Sequence, residues 1–274
     1  MTQPNICFIG GGNMAHSLIG GLIADQWPAS HIQVADSNPE QLAHLAARFG
    51  IKTGSDNSAA IAGADVIVLA VKPQVMHSVA SDISAAISAR RPLVISIAAG
   101  IRSVDLDRWL GGDTAIVRCM PNTPALVQSG ATALFANARV NDAQRDLAEN
   151  IMRAVGLALW LDDEQLMDAV TALSGSGPAY FFLMMEALQA AGVQLGLPPQ
   201  TAQLLTLQTA FGTAKMGLES NEEAAVLRRR VTSPGGTTER ALEVLEQGGL
   251  SEMIARALTA ARDRSRELAD QLGQ

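Results

Sequence analysis

The chain has 274 residues, 48% of them hydrophobic and 17% charged, with a formal net charge of -7. That length accommodates two domains of ordinary size, each with its own core. The acidic balance excludes a general nucleic-acid or anionic-membrane surface, while leaving room for a local pocket that binds phosphate.

The first informative run is Asn5-Ile-Cys-Phe-Ile-Gly10-Gly11-Gly12-Asn13-Met14-Ala15. Ile6, Phe8 and Ile9 predict a buried strand, and Ala15, Leu18, Ile19, Leu22 and Ile23 recur at helical spacing after it. A strand that enters a helix through G-x-G-x-x-A builds a pyrophosphate site. Gly10 permits the tight turn, Gly12 lets a phosphate approach the main chain, and the first helical N-H groups point at the anion. Ala15 stands where a third glycine is usual and is small enough for close packing. A second strand, His31 to Asp36, ends in an acid, so the unit reads strand, helix, strand. The apolar stretch is broken at Gly10-Gly-Gly-Asn13 and has no basic start, which is not a secretory signal.

The alternation continues to about residue 161. Leu42, Leu45, Ala46 and Phe49 form one helical stripe, and Val75, Val79, Ile83 and Ile87 form another. Strands are predicted at Asp65 to Val71, Leu93 to Ala98, Thr114 to Arg118, Thr132 to Phe135 and Gly156 to Trp160. This is the pattern of a doubly wound parallel sheet covered on both faces. Cys7 and Cys119, in or at the end of strands and far apart, read as buried free thiols. After Asp162-Asp163-Glu164 the β-branched clusters stop and the sequence turns helical. The domains are therefore drawn as 1-162, dinucleotide-binding, and 163-274, all helical.

In the helical part, Pro178 and Pro198-Pro199 suit first turns, Gly248-Gly249 suits a stop, and Leu250 to Leu272 reads as one long helix. Tyr180 to Ala191 is apolar nearly all round and needs covering on more than one face, which points to a partner subunit. The longest apolar segment, Ala179 to Val193, contains Glu186 and Gln189 and falls short of the ~20 residues a bilayer requires, so a cytoplasmic protein is expected. Arg228-Arg229-Arg230 reads as a solvated, salt-bridged helix face.

Three further stretches carry candidate chemistry. Ser174-Gly-Ser-Gly-Pro178 predicts a loop of backbone donors before a helix, suited to a small carboxylate. Leu173 occupies the first position of what would otherwise resemble a nucleophile elbow, and no strand leads into it. Thr232-Ser-Pro-Gly-Gly-Thr237-Thr238 is another glycine turn entering a helix, with hydroxyls at its mouth; helix capping is the competing reading of both. Val71-Lys72-Pro73-Gln74 and Arg118-Cys-Met-Pro121-Asn-Thr-Pro124 follow strands and belong at the carboxyl edge of the sheet, where ligands of such sheets bind. His16, His31, His44 and His77 do not pair at ligand spacing, so no metal site is expected.

Phe8 to Ala15, Ala70-Val-Lys-Pro73, Arg118 to Pro124, Ala172 to Tyr180 and Ser233-Pro-Gly-Gly-Thr-Thr238 together resemble, in order and spacing, the signatures of the pyrroline-5-carboxylate reductases. The resemblance runs from end to end. It implies a Rossmann domain followed by an all-helical dimerisation domain, and reduction of 1-pyrroline-5-carboxylate to L-proline. The implied assembly is a homodimer that can build a larger ring such as a decamer. By position it implies that Gly10, Gly11, Gly12, Asn13, Met14, Asn57, Ala70, Val71, Lys72 and Pro73 contact the nucleotide. Ser176, Gly177, Val231, Thr237 and Thr238 would surround the substrate, with the Thr238 hydroxyl near the ring nitrogen. NADPH is the implied cofactor, with NADH accepted too. Asp36 departs from that preference, since an acid there favours a free ribose hydroxyl, while Ser37 and Asn38 offer groups for a 2′-phosphate. The β-hydroxyacid dehydrogenases share the layout but use a lysine in the helix after a glycine motif, and the helix after Gly177 offers none.

Overall fold

The structure is a computed structural model that describes residues 3-274. It divides into two compact units, one running to Ser176 and including Ala261-Gln274, the other Gly177-Ala260.

The first unit is built on strands β1 (Ile6-Ile9), β2 (Ile32-Ala35), β3 (Lys52-Gly54), β4 (Val66-Leu69), β5 (Leu93-Ser96), β6 (Ile116-Met120), β7 (Gly130-Ala136) and β8 (Gly156-Trp160). They form one sheet in the order β3-β2-β1-β4-β5-β6-β7-β8. Residues alternate between the two faces: Ile6 and Phe8 join one core cluster, Cys7 and Ile9 the other. Burial leaves both cysteines as free thiols and pushes the Cys7 thiol up to about 12 and that of Cys119 higher still.

Two features depart from the predicted parallel sheet. β3 was not anticipated, because Lys52-Thr-Gly54 is short and carries no apolar run. β7 pairs antiparallel with β6, with Val117 opposite Ala136. Only residues 121-129 join them, fewer than the dozen or so residues of a parallel crossover, so the chain must turn back. The remaining pairs are parallel.

Helices α1 (Asn13-Ala24), α2 (Pro39-Phe49), α3 (Asn57-Ile61), α4 (Met76-Arg90), α5 (Ser103-Trp109) and α6 (Asp142-Arg153) cover the sheet. α1 buries Ala15, Leu18, Ile19 and Leu22. α2 starts at Pro39 beneath an Asn38 cap, whose Oδ1 accepts from the N-H of Glu40 at 3.0 Å, and stops at Gly50 with φ +65°. On α4 the buried stripe is Met76, Ala80, Ile83 and Ile87. Val75, predicted to belong to it, is exposed because Pro73-Val75 forms a 3₁₀ turn ahead of the helix and shifts its phase.

After β8 come α7 (Met167-Val170), α8 (Gly177-Gln194), α9 (Pro199-Glu219), α10 (Ala224-Arg230), α11 (Thr237-Gln247) and α12 (Leu250-Leu272). α12 has the bounds the sequence predicts. From Ala261 onward it belongs to the first unit, where Arg102 pairs with Asp270 at 2.6 Å, Ser265 donates to Asp168 at 2.7 Å and Arg108 donates to the Gly273 carbonyl. In the second unit α8 and α9 pack together, yet Phe181, Phe182, Leu183 and Leu188 remain exposed. Arg228 pairs with Glu246 and Arg230 with Glu222. Among the described residues no helix is long and apolar enough to cross a membrane.

Candidate active site

The glycine turn sits where the strand order reverses, between β1 and β4, at the carboxyl ends of the strands. Gly10 has φ +101°, and a Cβ there would lie 2.6 Å from the Ala70 carbonyl oxygen, so only glycine lets the turn pass so close to the end of β4. No side chain caps α1 at its N-cap, Gly12, and a Cβ on Gly12 would meet nothing within 4 Å. The first-turn N-H groups therefore face open space with the positive end of the helix dipole behind them. Those residues fit a dinucleotide pyrophosphate.

Gly11 is held on both sides of its peptide units. Its N-H donates to Asp36 Oδ2 at 2.6 Å, and the Gln41 side-chain amide donates to its carbonyl. The other Asp36 oxygen accepts from the Asn38 N-H at 2.8 Å. Asp36 is thus folded inward against the turn, Asn38 is committed to capping α2, and Ser37 stays exposed beside them. Asn57 opens α3 and is half-buried. Ala70 and Val71 follow β4, half-buried, Lys72 is exposed, and Pro73 opens the 3₁₀ turn. Gly10 to Met14, Asp36, Ser37, Asn57 and Ala70 to Pro73 all lie in the connections or first helical turns that follow the carboxyl ends of β1, β2, β3 and β4.

The stretch before α8 is not the loop the sequence predicts. Thr171-Gly175 is a π turn that follows directly on α7, closed by Ser176 N-H donating to the Thr171 carbonyl at 2.8 Å. π turns inside helices gather at functional sites. Thr171 and Ser174 hydroxyls bond back to the Met167 and Val170 carbonyls. The Ser176 hydroxyl has no such partner among the described residues. Pro178 stands in the first turn of α8, as its sequence predicts, and so removes the N-H that a continuous α-helix would direct at the Ser174 carbonyl. That carbonyl accepts from Asn122 Nδ2 at 3.1 Å. Asn122 Oδ1 in turn accepts from the Ala131 N-H on β7 at 2.8 Å.

Arg118 and Glu164 were missed as a pair by sequence reasoning. Arg118, nearly fully buried on β6, donates to Glu164 at 2.9 Å. Glu164 also accepts from the Ser103 N-H at 2.7 Å and its hydroxyl at 2.6 Å, capping α5. Glu164 read only as part of an acidic break, and no periodicity in the sequence connects it with residues 46 or 61 positions away.

In the second unit, Val231 ends α10 and is exposed, and Gly235 takes φ +71° with its N-H donating to Glu239 at 2.7 Å. Thr237 and Thr238 are the first two residues of α11, exposed, behind a Gly236 N-cap without a side-chain partner. This turn has the predicted form of a glycine entry with hydroxyls at the helix mouth. Gly177, the first residue of α8, is buried. Among the described residues no group of three or more His, Cys, Asp and Glu side chains is arranged to hold a metal.

Residues 164-268 match the family described as pyrroline-5-carboxylate reductase dimerisation, and residues 5-100 match that of NADP oxidoreductase coenzyme F420-dependent. A pyrroline-5-carboxylate reductase of Pseudomonas aeruginosa is 54% identical over 274 residues, covering 100% of both chains. That of Haemophilus influenzae is 44% identical over 98% of each. A solved pyrroline-5-carboxylate reductase from Coxiella burnetii superposes with a TM-score of 0.94 at 49% identity, over 97% of this chain and 99% of that one. The Plasmodium falciparum pyrroline carboxylate reductase, solved with NADP bound, superposes at 0.86 with 30% identity, over 98% and 99%. A prephenate dehydrogenase from A. aeolicus, at 15% identity and 0.54, shares the fold alone. An open glycine turn on a dinucleotide-binding sheet, a dimerisation segment and full-length identity of this order agree: the chain belongs to the pyrroline-5-carboxylate reductase family, NAD(P)H-dependent oxidoreductases of the last step of proline biosynthesis.

Proposed function

We propose that the chain reduces the C=N bond of 1-pyrroline-5-carboxylate to L-proline with NADPH, and with NADH less well. The observation that carries this reading is the uncapped N-terminus of α1 behind Gly10-Gly11-Gly12, open at Gly12. Gly10 to Met14 receive the pyrophosphate, and Asn57 and Ala70 to Pro73 line the nucleotide. Ser37 takes the 2′-phosphate beside the N-terminus of α2, while Asp36, kept inward by Gly11 and Asn38, limits the preference. When bound, the dinucleotide supplies the hydride.

The substrate is a cyclic imine bearing a carboxylate. Once its nitrogen is protonated, the imine carbon beside it, across the ring nitrogen from the carboxylate-bearing carbon, is electrophilic enough to accept hydride, and no strong side-chain acid is needed. The protein's work is orientation. Ser176 and Gly177 hold the carboxylate, Val231 and Thr237 border the ring, and the Thr238 hydroxyl aligns the nitrogen. Residues 1-162 are assigned to the nucleotide and 163-274 to substrate and dimerisation. The working unit is a homodimer formed through the exposed apolar side chains of α8 and α9, with a decameric ring as a further assembly and the cytoplasm as its location. Incubating purified protein with 1-pyrroline-5-carboxylate and either nucleotide, and following absorbance loss with proline formation, tests the whole reading. Proline is expected from both nucleotides, more efficiently from NADPH; nucleotide binding without proline overturns it.

A further inference from the structure

The Ser174 carbonyl lies at the turn that presents Ser176 and Gly177. In a regular α-helix it would accept from the residue four places on, which is Pro178 and has no N-H. Ser174 is half-buried, and a carbonyl there without a donor is costly, which favours an answering group from elsewhere. The donor is a side chain from a different element. Asn122, in the connection between β6 and β7, gives its amide N-H to Ser174 and accepts the Ala131 N-H with its amide oxygen. Its two ends thus tie the widened turn to the backbone of β7. Met120, the last residue of β6, supports the same place: a Cβ on Gly175 would lie 2.5 Å from the Met120 Cε.

We propose that Asn122 is a positioning residue for the imino-acid site, setting the π turn so that Ser176 and Gly177 face the substrate carboxylate. Both ends of its amide are engaged by main-chain groups, and it acts through the Ser174 carbonyl. The proposal rests on the reading above that Ser176 and Gly177 hold the carboxylate. Asparagine is required because the place needs one donor and one acceptor on a short planar group. Aspartate keeps the acceptor for Ala131 and loses the donor, setting a negative oxygen against a carbonyl.

The test is steady-state kinetics with 1-pyrroline-5-carboxylate together with nucleotide affinity by fluorescence, on Asn122→Asp, Pro178→Ala and Ser176→Ala. Asn122→Asp is expected to raise the KM for the imino acid about tenfold, with nucleotide Kd within about twofold of wild type. Pro178→Ala gives the Ser174 carbonyl a main-chain donor that competes with Asn122 and favours an ordinary α turn, and it is expected to raise the same KM severalfold. A merely structural role would lower thermal stability and active fraction and leave that KM unmoved. An unchanged KM in folded Asn122→Asp, or a loss confined to nucleotide affinity, overturns the proposal. Should Asn122→Asp not fold, Pro178→Ala decides alone: a raised KM supports the proposal and an unchanged one overturns it. Ser176→Ala separates the two levels, because an unchanged KM there removes the carboxylate reading and with it the proposal, whereas a raised KM beside an unaffected Asn122→Asp removes only the role of Asn122.

Discussion

Thr238 stands exposed at the second position of α11, behind a glycine cap with no side-chain partner. If its hydroxyl aligns the protonated ring nitrogen, removing it costs a hydrogen bond to a charged group. Thr238→Ala is expected to lower kcat/KM for the imine by roughly 10- to 100-fold with nucleotide Kd unchanged, measured by steady-state kinetics and titration. Asp36 is the other decisive side chain. Its carboxylate is engaged by the N-H groups of Gly11 and Asn38, yet it remains a negative charge at the end of β2. Asp36→Ser is expected to move the NADPH-to-NADH ratio of kcat/KM toward NADPH by roughly tenfold or more, through relief of repulsion with a 2′-phosphate. An unmoved ratio makes Asp36 a clamp on the turn and nothing else. Gly10, Gly12 and Asp36 were legible in the sequence because their chemistry follows from backbone geometry at a fixed spacing. Asn122 and Glu164 were not, since each is defined by a partner far along the chain.

At the level of elements, the strongest sequence signals were apolar runs and long helices. β8 and α12 have the predicted bounds, and β4 and β5 are trimmed because Ala70-Val71 and Ile97-Ala98 leave the ladder. The direction of β7 was hidden, because strand polarity depends on connection length and pairing rather than on periodicity. The π turn was hidden for a related reason: serines and glycines read as a loop, whereas the neighbouring hydrogen bonds let a widened helix form there. Between these elements Glu164 joins β6 to the start of α5 through Arg118 and Ser103. Glu164→Ala leaves a nearly buried guanidinium and a helix N-terminus without their acceptor. The expected cost is about 3 kcal/mol, a Tm lower by roughly 6-12 °C in a thermal melt. A melt like that of wild type would mean solvent replaces the carboxylate freely.

For the molecule as a whole, the apolar character of α8 was read from the sequence as a demand for cover, and Phe181, Phe182 and Leu183 are indeed left in solvent by the single chain. Phe182→Asp puts a charge into that surface, and sedimentation is expected to find monomer with at least about tenfold less reductase activity. A dimer of normal activity would mean that the subunits join elsewhere.

The return of α12 to the first unit has its own consequence. Asp270 and Ser265 anchor it beside Arg102 and Asp168, so the span from Gly177 to Ala260 is a guest inserted in a host whose two ends are both moored. Trimming residues 261-274 would remove both moorings together with Leu272, which packs on one face of the sheet, so the loss is expected as a lower melting temperature of the host, far in sequence from the cut.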